Sequence, residues 1–151
     1  IEVLLPTDLV VTDDLAAPSR VEVVGAGAAV PAGLKAVDVG PESRRAFAAA
    51  LGRARTVFWN GPLGVFEIPS FAHGTKQIAR FLADRCDAGA TVVVGGGDSV
   101  AAIQQQGLAS RFSHISTGGG ASLEFLEGRE LPGVAILQDR AAARAPEGAP
   151  A

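Results

Sequence analysis

Three stretches of this sequence each run a near-continuously apolar segment into a glycine turn: TVFWNG at 56–61, TVVVGG at 91–96 and HISTGG at 114–119. None alternates polar with apolar residues, so each reads as a strand covered on both faces. Such strands need helices to cover them, and the intervening sequence has the helical period. Residues 41–54 place Phe47, Ala50 and Leu51 on one face behind Pro41, a residue suited to a first helical turn. Residues 70–89 align Phe71, Ile78, Phe81 and Leu82 and stop at Gly89, and residues 99–107 turn Val100 and Ile103 inward and stop at Gly107. Residues 121–128 make a short last helix. The alternation predicts an α/β fold in three layers, with a mainly parallel sheet between helices.

Two further apolar runs precede this series. IEVLLP (1–6) and DLVVTD (8–13) read as one strand region interrupted at Pro6, and RVEVVGAG (20–27) as another strand. With 151 residues and 48% hydrophobic content, the chain holds enough apolar material for one domain. No apolar run approaches the roughly 18 residues of a membrane span, and no signal segment opens the chain, so a cytoplasmic protein is expected. The net charge of −3 with scattered basic residues gives no footprint for nucleic acid. Cys86 is the single cysteine, which excludes an internal disulfide and a cysteine-based zinc site. There is no methionine and the first residue is Ile1, so a processed chain or a piece of a longer one is expected. From Gln138 the sequence QDRAAARAPEGAPA has no hydrophobic period and predicts a disordered tail over 138–151.

Ligands of parallel α/β sheets gather at the carboxyl ends of the strands. The GGGDS turn at 95–99 falls there, ahead of a helix whose first N–H groups and dipole favour an anion. Asp98 or Ser99 caps that helix on one reading, and the turn cradles phosphate on the other; spacing alone leaves both open. Neither G-x-x-x-x-G-K-[ST] nor G-x-G-x-x-G is present, and neither Lys35 nor Lys76 follows a glycine-rich loop. A carboxylate beside phosphate calls for a cation between them, which makes a nucleotide with Mg²⁺ more natural here than bare phosphate. WNGPLGVFE at 59–67 is the second concentration of unusual residues: a tight loop with Trp59 and Phe66 in the core, or a site where Val65 and Phe66 line a pocket and Glu67 meets vicinal hydroxyls. His73, His114 and Cys86 lack the partners that nucleophilic or acid–base chemistry needs.

Taken together, LLPTDLVV, DVGPES, VFWNGPLGVFE, FAHGTKQIA and the long run TVVVGGGDSVAAIQQQGLASRFSHISTGGGASLEFLEGRELPGVAIL resemble the carboxyl-terminal half of phosphoglycerate kinases. The match runs from Ile1 to about Leu137, and its motifs in this order are very specific. The resemblance implies a three-layer Rossmann-like nucleotide-binding domain over 1–137, incomplete at its amino-terminal side. It implies reversible phosphoryl transfer from 1,3-bisphosphoglycerate to ADP, giving 3-phosphoglycerate and ATP in glycolysis, with Mg²⁺ and a parent enzyme that is a monomer. Carried over by position, Glu67 would bind the ribose, and Asn60, Pro62, Gly64 and Val65 would shape the nucleotide pocket. Gly96, Gly97, Asp98 and Ser99 would meet the phosphates, with Asp98 holding Mg²⁺ and the amides of Gly96 and Gly97 facing the phosphoryl group in flight. Thr117, Gly118, Gly119 and Gly120 would form a hinge beside the catalytic centre.

Ala36 stands where the family usually has glycine at the adenine pocket, and its methyl would narrow the base site. The domain that holds 3-phosphoglycerate, and the cations that grip the nucleotide phosphates, have no counterpart here. This piece alone is therefore expected to be inactive, since phosphoryl transfer rests on positioning and charge stabilisation. The alternatives are a Mg-nucleotide-binding module without catalysis, a degenerate remnant without ligand, and, on fold grounds alone, a dinucleotide-dependent oxidoreductase. An exposed sheet edge is expected where strands are missing.

Overall fold

The computed structural model describes residues 1–25 and 27–137. Three short strands come first: β1 (Asp8–Thr12), β2 (Val21–Gly25) and β3 (Lys35–Val39). They pair antiparallel in the order β2-β1-β3, a small sheet separate from the parallel one. The sequence pattern predicts β1 and β2 but not β3, because K-A-V-D-V is short and interrupted by two charged residues. The apolar run 1–6 carries no regular structure, having no partner strand among the described residues. The tail expected over 138–151 lies outside the described residues.

The α/β unit follows: α1 (Pro41–Leu51), β4 (Thr56–Asn60), α2 (His73–Asp87), β5 (Thr91–Gly95), α3 (Gly97–Gln105), β6 (His114–Ser116), α4 (Gly119–Leu126) and α5 (Pro132–Ala135). Strands β4, β5 and β6 lie parallel in that order, as the alternation predicts, with Trp59 beside Val94 and Asn60 beside Gly95. Residues 69–71 form a single 3₁₀ turn, so α2 starts three residues later than its apolar pattern suggests. Helices α3 and α4 start two residues earlier than predicted, at Gly97 and Gly119. The glycines of both turns therefore supply the first helical turn itself.

The strands are covered unequally. Val57, Trp59, Val92 and Val94 are buried against Ile78 and Leu82 of α2 and Val100 and Ile103 of α3, with Phe47 and Leu51 of α1 at the margin. Their neighbours Phe58 and Val93 point the other way and are half-buried, in a shallow hollow beneath α4. The dense side carries the stability: truncating fully buried Leu82 to alanine should cost about 2–5 kcal/mol.

Two carboxylates from the antiparallel sheet fix the helices of the parallel unit. Helix α1 begins at Gly40, which has no side chain to cap it. Asp8 of β1 does this instead, accepting the amides of Glu42 (2.9 Å) and Ser43 (2.7 Å) and the Ser43 hydroxyl (2.6 Å). A Cβ on Gly40 would lie 2.2 Å from the Asp8 carboxyl carbon, so the cap requires glycine there. Asp38 of β3 does the same for α2, accepting the amide of Gly74 at 2.8 Å while also holding that of Val39. Helix ends with their amides satisfied in this way gain about 0.5–2 kcal/mol.

The two acids respond to pH in opposite senses. Burial pushes the Asp8 carboxyl up, but the Ser43 hydroxyl, the two amides and nearby Arg44 outweigh it and hold the carboxyl below its ordinary 3.8. Its contribution is therefore present above pH 3.8 and is lost as pH falls through the lower folded value. Burial raises the Asp38 carboxyl despite its amide donors, so its contribution is full below 3.8 and is lost as pH rises through the higher folded value. Ser43→Ala should lower unfolding free energy by about 1–3 kcal/mol at neutral pH. Urea unfolding across acid pH checks this: stability of the parent chain should drop below pH 3.8, and the drop should flatten in Asp8→Asn.

Candidate functional site

Strands β4, β5 and β6 end side by side, and their exits form one pocket of about 380 Å³. Its lining is Asn60 and Gly61 after β4, Gly96, Gly97, Asp98 and Ser99 after β5, and Thr117, Gly119 and Gly120 after β6. Both glycine-rich turns thus face the same cavity.

Packing, not only flexibility, demands glycine here. Gly96 has φ +88°, a conformation that side-chain-bearing residues rarely adopt. Its amide donates to the Ser116 carbonyl at 3.0 Å, tying the exit of β5 to that of β6. A Cβ on Gly119 would sit 2.5 Å from Asn60 Oδ1 and 2.8 Å from the Gly96 Cα. The two turns therefore touch through Gly96 and Gly119, with the Asn60 amide oxygen between them.

Hydrogen bonds at alternate residues hold the loop after β4. Trp59 Nε1 donates to the Gly61 carbonyl at 2.7 Å, and the Gly61 amide donates to the buried Ser99 hydroxyl at 2.7 Å. The Leu63 amide donates to Thr75 Oγ1 at 3.0 Å and the Val65 amide to the Val37 carbonyl at 2.9 Å. A second hollow of about 340 Å³ lies on the far side of this loop, lined by Pro62, Leu63, Gly64 and Val65 with Leu9, Ala36, Val37, Asp38 and Val39. The loop forms a wall of both hollows.

The predicted residues divide accordingly. Asn60, Gly96, Gly97, Asp98, Ser99, Thr117, Gly119 and Gly120 share the first pocket, and Pro62, Gly64 and Val65 line the second. Gly118 borders the hollow beneath α4 instead, and Glu67 is exposed and lines neither of the two. Asp38 escapes sequence reading: a Cβ on Gly64 would lie 2.4 Å from its Oδ1, so this buried carboxylate sets how closely the loop approaches β3. The available signal is an aspartate at a core position of a short strand, directly before Gly-Pro.

The electrostatics of the first pocket come from its backbone. The α3 and α4 N-termini open onto it with no capping side chain, and their first-turn amides have no acceptor among the described residues. Two converging helix N-termini favour an anion with several oxygens. No lysine, arginine or histidine lines the pocket, and Asp98 is its single carboxylate. No group of three acidic, histidine or cysteine side chains among the described residues could enclose a metal. A divalent cation here would take one ligand from Asp98 and the rest from a bound anion and water, which suits Mg²⁺. Such a lining can bind and orient an anion.

Residues 1–129 match the family model for phosphoglycerate kinase. The chain belongs to the phosphoglycerate kinase family. It is 53% identical over 139 residues to the phosphoglycerate kinase of Chlorobium limicola, covering 92% of this chain and 35% of that one. It is 56% identical over 136 residues to the Corynebacterium urealyticum phosphoglycerate kinase, covering 89% of this chain and 34% of the relative. The phosphoglycerate kinase structure from Coxiella burnetii superposes with a TM-score of 0.77 at 40% identity, over 88% of this chain and 33% of that one. The chain thus spans about a third of the length of the phosphoglycerate kinases it matches, and its α/β fold is theirs.

The contact between the turns yields a paired test. Gly119→Ala should destabilise the chain by about 1–3 kcal/mol, because backbone crowds the added methyl. Gly120→Ala, with nothing within 4 Å of the added carbon, should be neutral or stabilising by up to about 1 kcal/mol. Thermal unfolding of the two variants checks the difference.

Proposed function

We propose that this chain is the nucleotide-holding part of a phosphoglycerate kinase, binding ADP and ATP with Mg²⁺ and lacking turnover by itself. The observation that carries the reading is the convergence of two uncapped helix N-termini on one pocket whose single carboxylate is Asp98. The phosphates lie against the free amides of Gly97, Asp98 and Ser99, with Gly96, whose amide is given to the Ser116 carbonyl, forming the floor of the turn. Asp98 would hold Mg²⁺, which would supply charge neutralisation to the phosphates. The Ser99 hydroxyl, already engaged by the Gly61 amide, holds the loop that separates the two hollows.

The rest of the nucleotide extends past Asn60 into the second hollow, where Pro62, Gly64 and Val65 meet the base and Ala36 narrows its seat. Glu67, an exposed carboxylate at the end of the same loop, accepts the ribose hydroxyls. Thr117 and Gly118 to Gly120 lie where a second domain would close over the phosphates. In the whole enzyme the reaction is reversible phosphoryl transfer between 1,3-bisphosphoglycerate and ADP in the cytoplasm, the 3-phosphoglycerate being held by the domain this chain does not span. The pocket's lack of a basic side chain supports inactivity in isolation, because transfer needs cations beside the moving group.

Calorimetric titration with Mg-ADP tests the reading. Saturable binding is expected, with Asp98→Ala weakening it at least about tenfold, or 1.4 kcal/mol, and with a smaller effect of the substitution when Mg²⁺ is withheld. Turnover of 1,3-bisphosphoglycerate should stay far below the roughly 1–100 s⁻¹ of kinases. Absence of any binding heat, or full kinase activity from the chain alone, would overturn it.

A further inference from the structure

Among the described residues, three buried side-chain atoms lack a hydrogen-bond partner: the Nε of Arg44, the Nε of Arg85 and Oε1 of Gln106. Each arginine has four further N–H donors with which to meet water or protein, but Gln106 has a single carbonyl oxygen. Gln106 closes the C-terminal end of α3, and its Nε2 donates to the Ala102 carbonyl at 3.2 Å. That bond fixes the amide, because turning it over would set oxygen against oxygen. Oε1 is therefore a committed acceptor, and an acceptor buried without a donor is costly.

Gln106 lines a small pocket of about 150 Å³ between α2, α3 and the loop after β4. Phe66, Ala72 and Ala102 give it buried apolar walls. Thr75 is its second buried polar group, with no exposed surface at all. Thr75 Oγ1 accepts the Leu63 amide at 3.0 Å, while its own proton has no acceptor among the described residues. The pocket thus carries one unspent acceptor and one unspent donor, and no direct hydrogen bond joins them.

We propose that this pocket is a water site, in which an ordered water accepts the Thr75 hydroxyl proton and donates to Gln106 Oε1. Size and chemistry both favour water. At roughly 30 Å³ per molecule the pocket has room for only a few waters, and it is less than half the volume of either hollow beside the loop. An anion drawn by half-buried Lys76 on the same wall would bring no proton for Oε1. The bridge completes a relay from the Leu63 amide through the Thr75 hydroxyl and the water to Gln106, each bond polarising the next. Gln106 is then a positioning residue, steadying the loop from the far end of α3 while lining neither of the hollows that the loop separates.

Nuclear magnetic resonance on this chain tests the proposal in two steps. Water-selective rotating-frame NOE spectra should show a long-lived water in contact with the Thr75 methyl and the Gln106 side-chain amide. Gln106→Met keeps the length of the side chain and removes the acceptor. It should speed amide exchange at Leu63 at least about threefold, leaving Gly61 unchanged because the Ser99 hydroxyl holds that amide. General loosening of the loop would move both amides together. If Gln106→Met does not fold, the water spectrum of the parent chain decides alone. No water contact at Thr75 and Gln106, an unchanged Leu63 amide in Gln106→Met, or equal quickening at Leu63 and Gly61 overturns the proposal.

Discussion

Each of the four longer helices, α1 to α4, must do something with the unsatisfied amides at its N-terminus, and the fold answers that requirement in two ways. Helices α1 and α2 receive carboxylates from neighbouring strands, Asp8 on the amides of Glu42 and Ser43 and Asp38 on that of Gly74. Helices α3 and α4 begin in glycines with no cap and open onto a common pocket. The first pair joins the antiparallel sheet to the helices of the parallel unit. The second pair is left with partial positive charge that only an anion or water can satisfy. Capping supplied from a distance holds the scaffold, and its omission at two ends creates the site.

The site depends on close approach as much as on charge. Asn60, Gly96 and Gly119 come from three different strand exits and meet within van der Waals range. Trp59, Ser99 and Thr75 fix the intervening loop through hydrogen bonds of 2.7–3.0 Å. Because these anchors are buried in the same core as Val57, Val92 and Val94, stability of the sheet and geometry of the pocket are coupled.

Much of this is legible in the sequence, for identifiable reasons. Strands β4 and β5 announce themselves through continuous apolar runs ending in glycine, and the two glycine turns fall on one sheet edge because strands of one direction end on one side. Helix α2 is legible through Ile78 and Leu82. What escapes reading depends on tertiary partners. Strand β3 contains the charged Lys35 and Asp38, and burial of Asp38 is offset by the amides of Val39 and of Gly74, the latter 36 residues away. The unequal covering of β4 and β5 is hidden as well, since Phe58 and Val93 are as apolar as the residues beside them. Residues 1–6 have strand composition but form no strand, because pairing needs a neighbour that the described residues do not supply.

Membership of the phosphoglycerate kinase family and a span of about a third of its relatives frame the remaining question: whether the uncapped helix ends of this chain bind a nucleotide. Backbone amide chemical shifts, followed by NMR during titration with Mg-ADP, answer this most directly. The account predicts saturable shifts at Gly97, Asp98, Ser99, Gly119 and Gly120, with Glu42, Ser43 and Gly74 unmoved because their amides are already taken. Shifts centred on the capped ends of α1 and α2, or no shifts in either group, would contradict it.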